Sequence, residues 1–130
     1  MHFDLLDERS SHWLRVTGFT IAGVWAAWWT LFGVASGFEE RLSPLGVTAH
    51  AAMPGFVFLI SVLIAWRSEI FGATLLLGEG LVVLFVYPAL AMRMPVATIV
   101  FVLLTMAVPP MLAGALLLLA SRPGVRPIRH

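Results

Sequence analysis

Four long apolar runs divide the chain: Leu14–Phe38, Gly46–Trp66, Ile70–Ala91 and Val96–Ala120, with charged and turn-forming residues between them. Crossing a hydrocarbon core of roughly 30 Å takes about 20 helical residues, and each run is that long. Apolar residues occupy both parities in every run, which excludes the alternation of a barrel strand. Backbone groups in lipid must bond within their own segment, which leaves helices. The pattern therefore predicts an all-α fold, a four-transmembrane-helix up-down-up-down bundle forming a single membrane domain over residues 1–130. The connections Glu39-Glu40-Arg41-Leu42-Ser43-Pro44, Arg67-Ser68-Glu69 and Met92-Arg93-Met94-Pro95 are short enough to make consecutive helices adjacent and antiparallel.

Residues 2–12 are charged and weakly amphipathic, and are expected at the membrane surface with Ser10 or Ser11 capping the first helix. Asp4, Asp7 and Glu8 precede the first run where a signal peptide carries basic residues, so a retained helix is expected. Arg67 and Glu69 are expected to pair across the tight turn, worth under about 1 kcal/mol.

Composition agrees with the pattern. Hydrophobic residues make up 60% of the chain and charged ones 12%, unlike a soluble domain. The absence of cysteine excludes disulfides, thiolate metal sites and thiol redox chemistry. A net charge of +1 gives no sign of a nucleic-acid partner. All eight Lys/Arg positions are arginine, and the Ala, Gly, Val, Leu and Arg bias suggests a GC-rich bacterial genome.

Arginine placement orients the chain. With both termini cytoplasmic, that side holds Arg9, Arg15, Arg67, Arg122, Arg126 and Arg129, and the other holds only Arg41 and Arg93. The positive-inside rule thus favours both ends inside a bacterial inner membrane, with Trp13 and Trp66 at the inner interface and Tyr87 near the outer one. The tail after Arg122 reads as an irregular basic strand over anionic headgroups, at about 1 kcal/mol per arginine.

Depth follows from a helical rise of about 1.5 Å per residue. Glu79, the Pro109-Pro110 pair, Pro54-Gly55 and Trp25 all fall near one midplane layer. A carboxyl at that depth is costly unless paired or neutralised, so Glu79 is the leading candidate site. Each proline removes an amide donor, freeing the carbonyls of Thr105, Met106 and His50 inside hydrocarbon. The expected bond has Glu79, carrying its proton, donating to the Thr105 or Met106 carbonyl of the fourth helix. A proton or cation relay through Glu79 is the sharper reading, and a carboxyl pinning one helix to the next is the plainer one. Gly78 and Gly80 suit either, since small residues let helices approach.

His50 is the one histidine inside an apolar run. It could ligate haem iron or chlorophyll magnesium through a neutral nitrogen, or simply bond a loop carbonyl or the Glu39–Glu40 acids. Paired histidine ligation of haem within the chain is excluded, because His2, His12 and His130 lie outside the bundle. Trp25 and Trp29 share a helix face with Trp28 beside them, forming either a lipid- or partner-facing stripe or a stacking surface for a pigment or quinone. Gly23-xxx-Ala27 on the same helix is a small-xxx-small pattern for close packing.

His50-Ala-Ala-Met-Pro54, Ala65-Trp66-Arg67, Ile70-Phe71-Gly72 and Val108-Pro109-Pro110 followed by Ala113-Gly114 together resemble a known pattern. It is that of an uncharacterised family of small four-helix bacterial and archaeal integral membrane proteins. In that family a His-xxx-Pro opens the second helix, and a Trp-Arg/Lys turn leads to a glycine early in the third. The resemblance implies a fold and no catalytic residues, and Glu79 is outside its pattern.

No nucleophile–base pair, metal-ligand spacing or phosphate loop is present, so catalytic residues and a metal site are not expected. The expected function is a non-catalytic accessory subunit of a larger inner-membrane complex, respiratory or photosynthetic, whose partners are lipid and other membrane subunits or itself. The alternatives are a proton- or cation-coupled transporter or channel using Glu79, and a protein contacting chlorophyll, haem or quinone, although the sequence demands no cofactor.

Overall fold

The computed structural model describes residues 2–122, and every regular element among them is helical. There are four helices: α1 (His2–Glu39), α2 (Pro44–Arg67), α3 (Glu69–Leu90) and α4 (Val96–Ala120). All four are long and apolar enough to cross a membrane, which makes this a multi-pass membrane protein by length and composition. The expected basic tail falls mostly on residues 123–130, outside the described residues.

Helix α1 differs from expectation at its start. It is continuous through the polar segment, and Ser11 does not cap it: the Ser11 hydroxyl donates to the Ala120 carbonyl at the end of α4, at 2.9 Å. That bond satisfies one of the last carbonyls of α4, which lack intrahelical partners. At the far end Leu42 N–H closes on the Gly37 carbonyl at 3.1 Å, with Arg41 in the left-handed region (φ 54°) where glycine is usual. Helix α2 opens on a Ser43 cap, whose hydroxyl accepts from Gly46 N–H at 3.2 Å, with Pro44 in the first turn.

Two helices are interrupted. In α2, Met53 takes non-helical angles (φ −114°, ψ 110°) before Pro54, as the ring of a proline requires of the residue ahead of it. In α4, residues Leu103–Ala107 form a wide turn just before Pro109 and Pro110.

The helices close a ring in which α1 meets α2, α2 meets α3, α3 meets α4 and α4 returns to α1. The core cluster runs through Ala22, Trp25, Ala26, Phe58, Val62, Ala65, Ala73, Leu76, Ala113 and Leu117. Small residues from each helix let the larger ones interlock, and Leu76, Leu117 and Pro110 have no exposed surface worth noting. This core sits toward the Arg67–Ser68–Glu69 turn. The buried residues of α3 all lie between Gly72 and Gly80, and none of Val96–Val102 at the start of α4 is buried. Helices α1 and α2 stay joined beyond it, where Gly33 lies against Ala51 and Gly37 against Val47. The outer halves of α3 and α4 carry exposed side chains, including Phe85, Leu90, Val96 and Phe101. The molecule is thus two helical hairpins sharing a core at one end.

At that packed end Arg15 Nε bonds Glu69 Oε2 at 2.7 Å, linking α1 to the first residue of α3. The acid expected to pair with Arg67 takes Arg15 instead. Residues two apart beside a turn do not face each other, whereas the ring brings the start of α1 over the start of α3.

Candidate functional site

The α2–α3 seam has two parts. Beside the turn the helices touch: a Cβ on Gly72 would overlap the backbone of Ala65, so only glycine permits that approach. Farther along, α2 bends away at Met53 toward α1, where Gly55 lies against the backbone of Thr30. The divergence opens a cavity of about 350 Å³, lined by residues of α2 and α3 with Met106 of α4 also on its wall.

Glu79, near the middle of the 22-residue α3, is on that wall. Its Oε1 accepts from the Ser61 hydroxyl of α2, a short hydrogen bond. Ser61 also lies 3.2 Å from the Val57 carbonyl one turn back, so its single proton is shared between two acceptors. Glu79 Oε2 is buried and has no hydrogen-bond partner. The expected bond to the Thr105 or Met106 carbonyl is therefore replaced. Rotation of α3 about its axis directs the carboxyl toward α2, and Ser61 is the residue that sequence reasoning missed. The signal was there, since Ser61 is the one hydroxyl in the apolar stretch from Ala49 to Trp66.

The Thr105 carbonyl is not left open. Trp25 Nε1 donates to it at 2.9 Å and Trp29 Nε1 at 3.3 Å. Its helical donor would come from residue 109 in a normal turn and 110 in a wide one, and both are proline. Trp25 is 5% exposed and stacks on Phe58, with centroids 3.8 Å apart and planes at 27°. Such a pair adds about 0.5–1.5 kcal/mol to the burial of its rings.

Comparison with known families adds one match: the family described as Domain of unknown function (DUF7670) covers residues 8–126. The chain belongs to this family. Neither a curated protein nor a solved structure matches it. The expected kinship with an uncharacterised family holds to that extent.

In this DUF7670 chain the other singled-out residues separate. The tryptophans do not form one outward stripe. Trp25 and Trp29 turn inward to α4, while Trp28 is 63% exposed and its indole N–H has no acceptor among the described residues. Gly23 likewise meets nothing within 4 Å, so Gly23-xxx-Ala27 packs no helix of its own chain. The small pair that is buried at that level of α1 is instead Ala22 and Ala26, one position earlier. His50 is half-buried, its side chain makes no hydrogen bond among the described residues, and it is not on the Glu79 cavity. Pro110 is fully buried in the ring, and Pro109 is half-buried. Of the proposed midplane group, Pro54 and Glu79 share the cavity, and Met106, singled out for its freed carbonyl, is on the same wall. Among the described residues no group of three or more His, Asp or Glu could hold a metal ion.

Proposed function

We propose that this DUF7670 protein is a non-catalytic subunit that docks against another membrane-spanning segment through the outer face of α1. The observation that carries this reading is Trp28. Its indole sits one turn from Trp25, which is level with the middle of α4, yet it points away from the bundle with its N–H unbonded. An indole donor facing hydrocarbon has no water to replace its partner, and that omission costs free energy in lipid. A neighbouring helix offering a carbonyl or hydroxyl removes the penalty. Thr20, Val24, Ala27 and Leu31 are exposed on the same face, and the Gly23 notch beside them admits a close backbone. Tryptophan is also the side chain that most often dominates such contacts.

A packed core supports docking over conduction along the bundle axis, because Leu76, Leu117 and Ala113 are fully buried where the four helices meet. The arginine distribution supports an up-down-up-down chain with both termini on the cytoplasmic side of a bacterial inner membrane. The partner is another membrane subunit of a larger complex or a second copy of this chain.

Extraction from native membranes in mild detergent, followed by native sizing and mass spectrometry, tests the reading. Wild type is expected to migrate well above 14.2 kDa with a defined partner or with itself. Trp28→Leu, which keeps the apolar bulk and deletes the donor, is expected to weaken that association at least tenfold. Co-migration unchanged by Trp28→Leu, or a wild-type chain that runs alone, overturns it.

A further inference from the structure

We propose that the cavity between α2 and α3 is a binding site for a lipophilic organic cation, entered sideways from the bilayer and held by Glu79. This inference concerns a different face of the molecule from the α1 docking surface and does not depend on it.

Three features of the cavity define the occupant. The first is size. About 350 Å³ is at the lower end of pockets that hold small organic ligands. The mouth opens to the bilayer, since Met53, Val57, Thr74 and Val82 on its rim are exposed on the outside of the bundle.

The second is charge. Glu79 is the one acidic group on the wall, and its Oε2 has no partner. The described arginines that flank the spans, Arg15, Arg41, Arg67, Arg93 and Arg122, stand at or beyond the ends of the apolar runs, and Arg15 is already engaged with Glu69. No arginine lines the cavity, so a positive charge for Glu79 must arrive with a ligand. The terminal torsion of a glutamate is soft, which lets either oxygen turn to an occupant while the other keeps the Ser61 bond. A large organic cation with a diffuse charge surrenders little hydration on entering lipid. Its attraction to a carboxylate is then not consumed by desolvation, as it is for a small ammonium ion.

The third is the rest of the wall. Phe58 supplies an aromatic ring, and ring faces attract cations. Met53 and Met106 supply two thioethers, whose flexible, polarisable chains adapt to ligands of differing outline. Val57, Leu75, Val82 and Val83 complete a surface made almost wholly of carbon. A carboxyl, a ring and two methionines around an apolar hollow favour a molecule that is apolar throughout except for one positive charge.

Equilibrium dialysis of the full chain in zwitterionic nanodiscs against radiolabelled tetraphenylphosphonium tests the assignment, with empty nanodiscs as background. The expected result is saturable uptake of one cation per chain, displaced by methyltriphenylphosphonium and not by its neutral analogue 1,1,1-triphenylethane. Glu79→Gln keeps the shape and can still accept from Ser61, and is expected to bind at least tenfold more weakly. Gly78→Leu provides a second route. Gly78 lines the cavity and a Cβ there meets nothing within 4 Å, so a larger side chain has room to start into the hollow. It too is expected to abolish saturable uptake. Uptake that does not saturate, equal affinity in wild type and Glu79→Gln, or displacement by 1,1,1-triphenylethane as effectively as by methyltriphenylphosphonium makes the cavity an ordinary lipid crevice and overturns the proposal.

Discussion

Two prolines in succession leave the Thr105 carbonyl with no backbone donor in either a normal or a wide helical turn, and two indoles from α1 answer it. Each indole covers for the other. Trp25→Phe keeps a ring against Phe58 and leaves Trp29 in place, so it is expected to cost about 0.5–1 kcal/mol, the ordinary value for one hydrogen bond in a bundle. Trp25→Phe with Trp29→Phe orphans the carbonyl and is expected to cost about 1–3 kcal/mol beyond the sum of the single variants. Reversible unfolding in mixed detergent micelles measures the difference, and strictly additive losses refute the shared-acceptor account. The proline pair and its freed carbonyls were readable from the sequence. Which donor reaches them was not, because a span that is apolar on all sides carries no hydrophobic face to fix its rotation. That is why Glu79 was expected on Thr105 and is found on Ser61.

The helices themselves were legible. The spans expected at 46–66, 70–91 and 96–120 match α2, α3 and α4 closely, because hydropathy reports length and depth well. The start of α1 was less so: a hydropathy window registers where the apolar run begins, not where helical geometry does. Nearby glycines in one helix show how far rotation decides outcome. A Cβ on Gly80 meets the Ala107 carbonyl at 2.8 Å and crowds Met111, whereas one on Gly78 meets nothing. Gly80→Ala is expected to destabilise by about 1–3 kcal/mol through displacement of α4. Gly78→Ala is expected to be neutral or to stabilise by about 0.5–1 kcal/mol through helix propensity. Thermal melts of the two variants in one detergent decide the matter, and equal effects would show that the α3–α4 seam is not set by that contact. The pair looked equivalent in sequence, each glycine adjoining the same acid.

For the molecule as a whole, orientation has a direct test, since the chain contains no cysteine. Ser68→Cys and Met92→Cys place single thiols in exposed turns at opposite ends of α3. With both termini cytoplasmic, a membrane-impermeant maleimide added to spheroplasts labels Met92→Cys at once and Ser68→Cys only after permeabilisation. The reverse pattern inverts the topology. The two hairpins share side-chain packing near Ser68 and carry exposed chains near Met92, where Phe85, Leu90, Val96 and Phe101 have no counterpart across the gap. Something must occupy that space, and in a membrane the filler is at hand. In a bilayer these exposed side chains face acyl chains, so lipid is expected to complete the wide end as side chains complete the narrow one. Bilayer thickness and tail saturation then act on this protein as a bound ligand does, shifting its stability with the membrane it occupies.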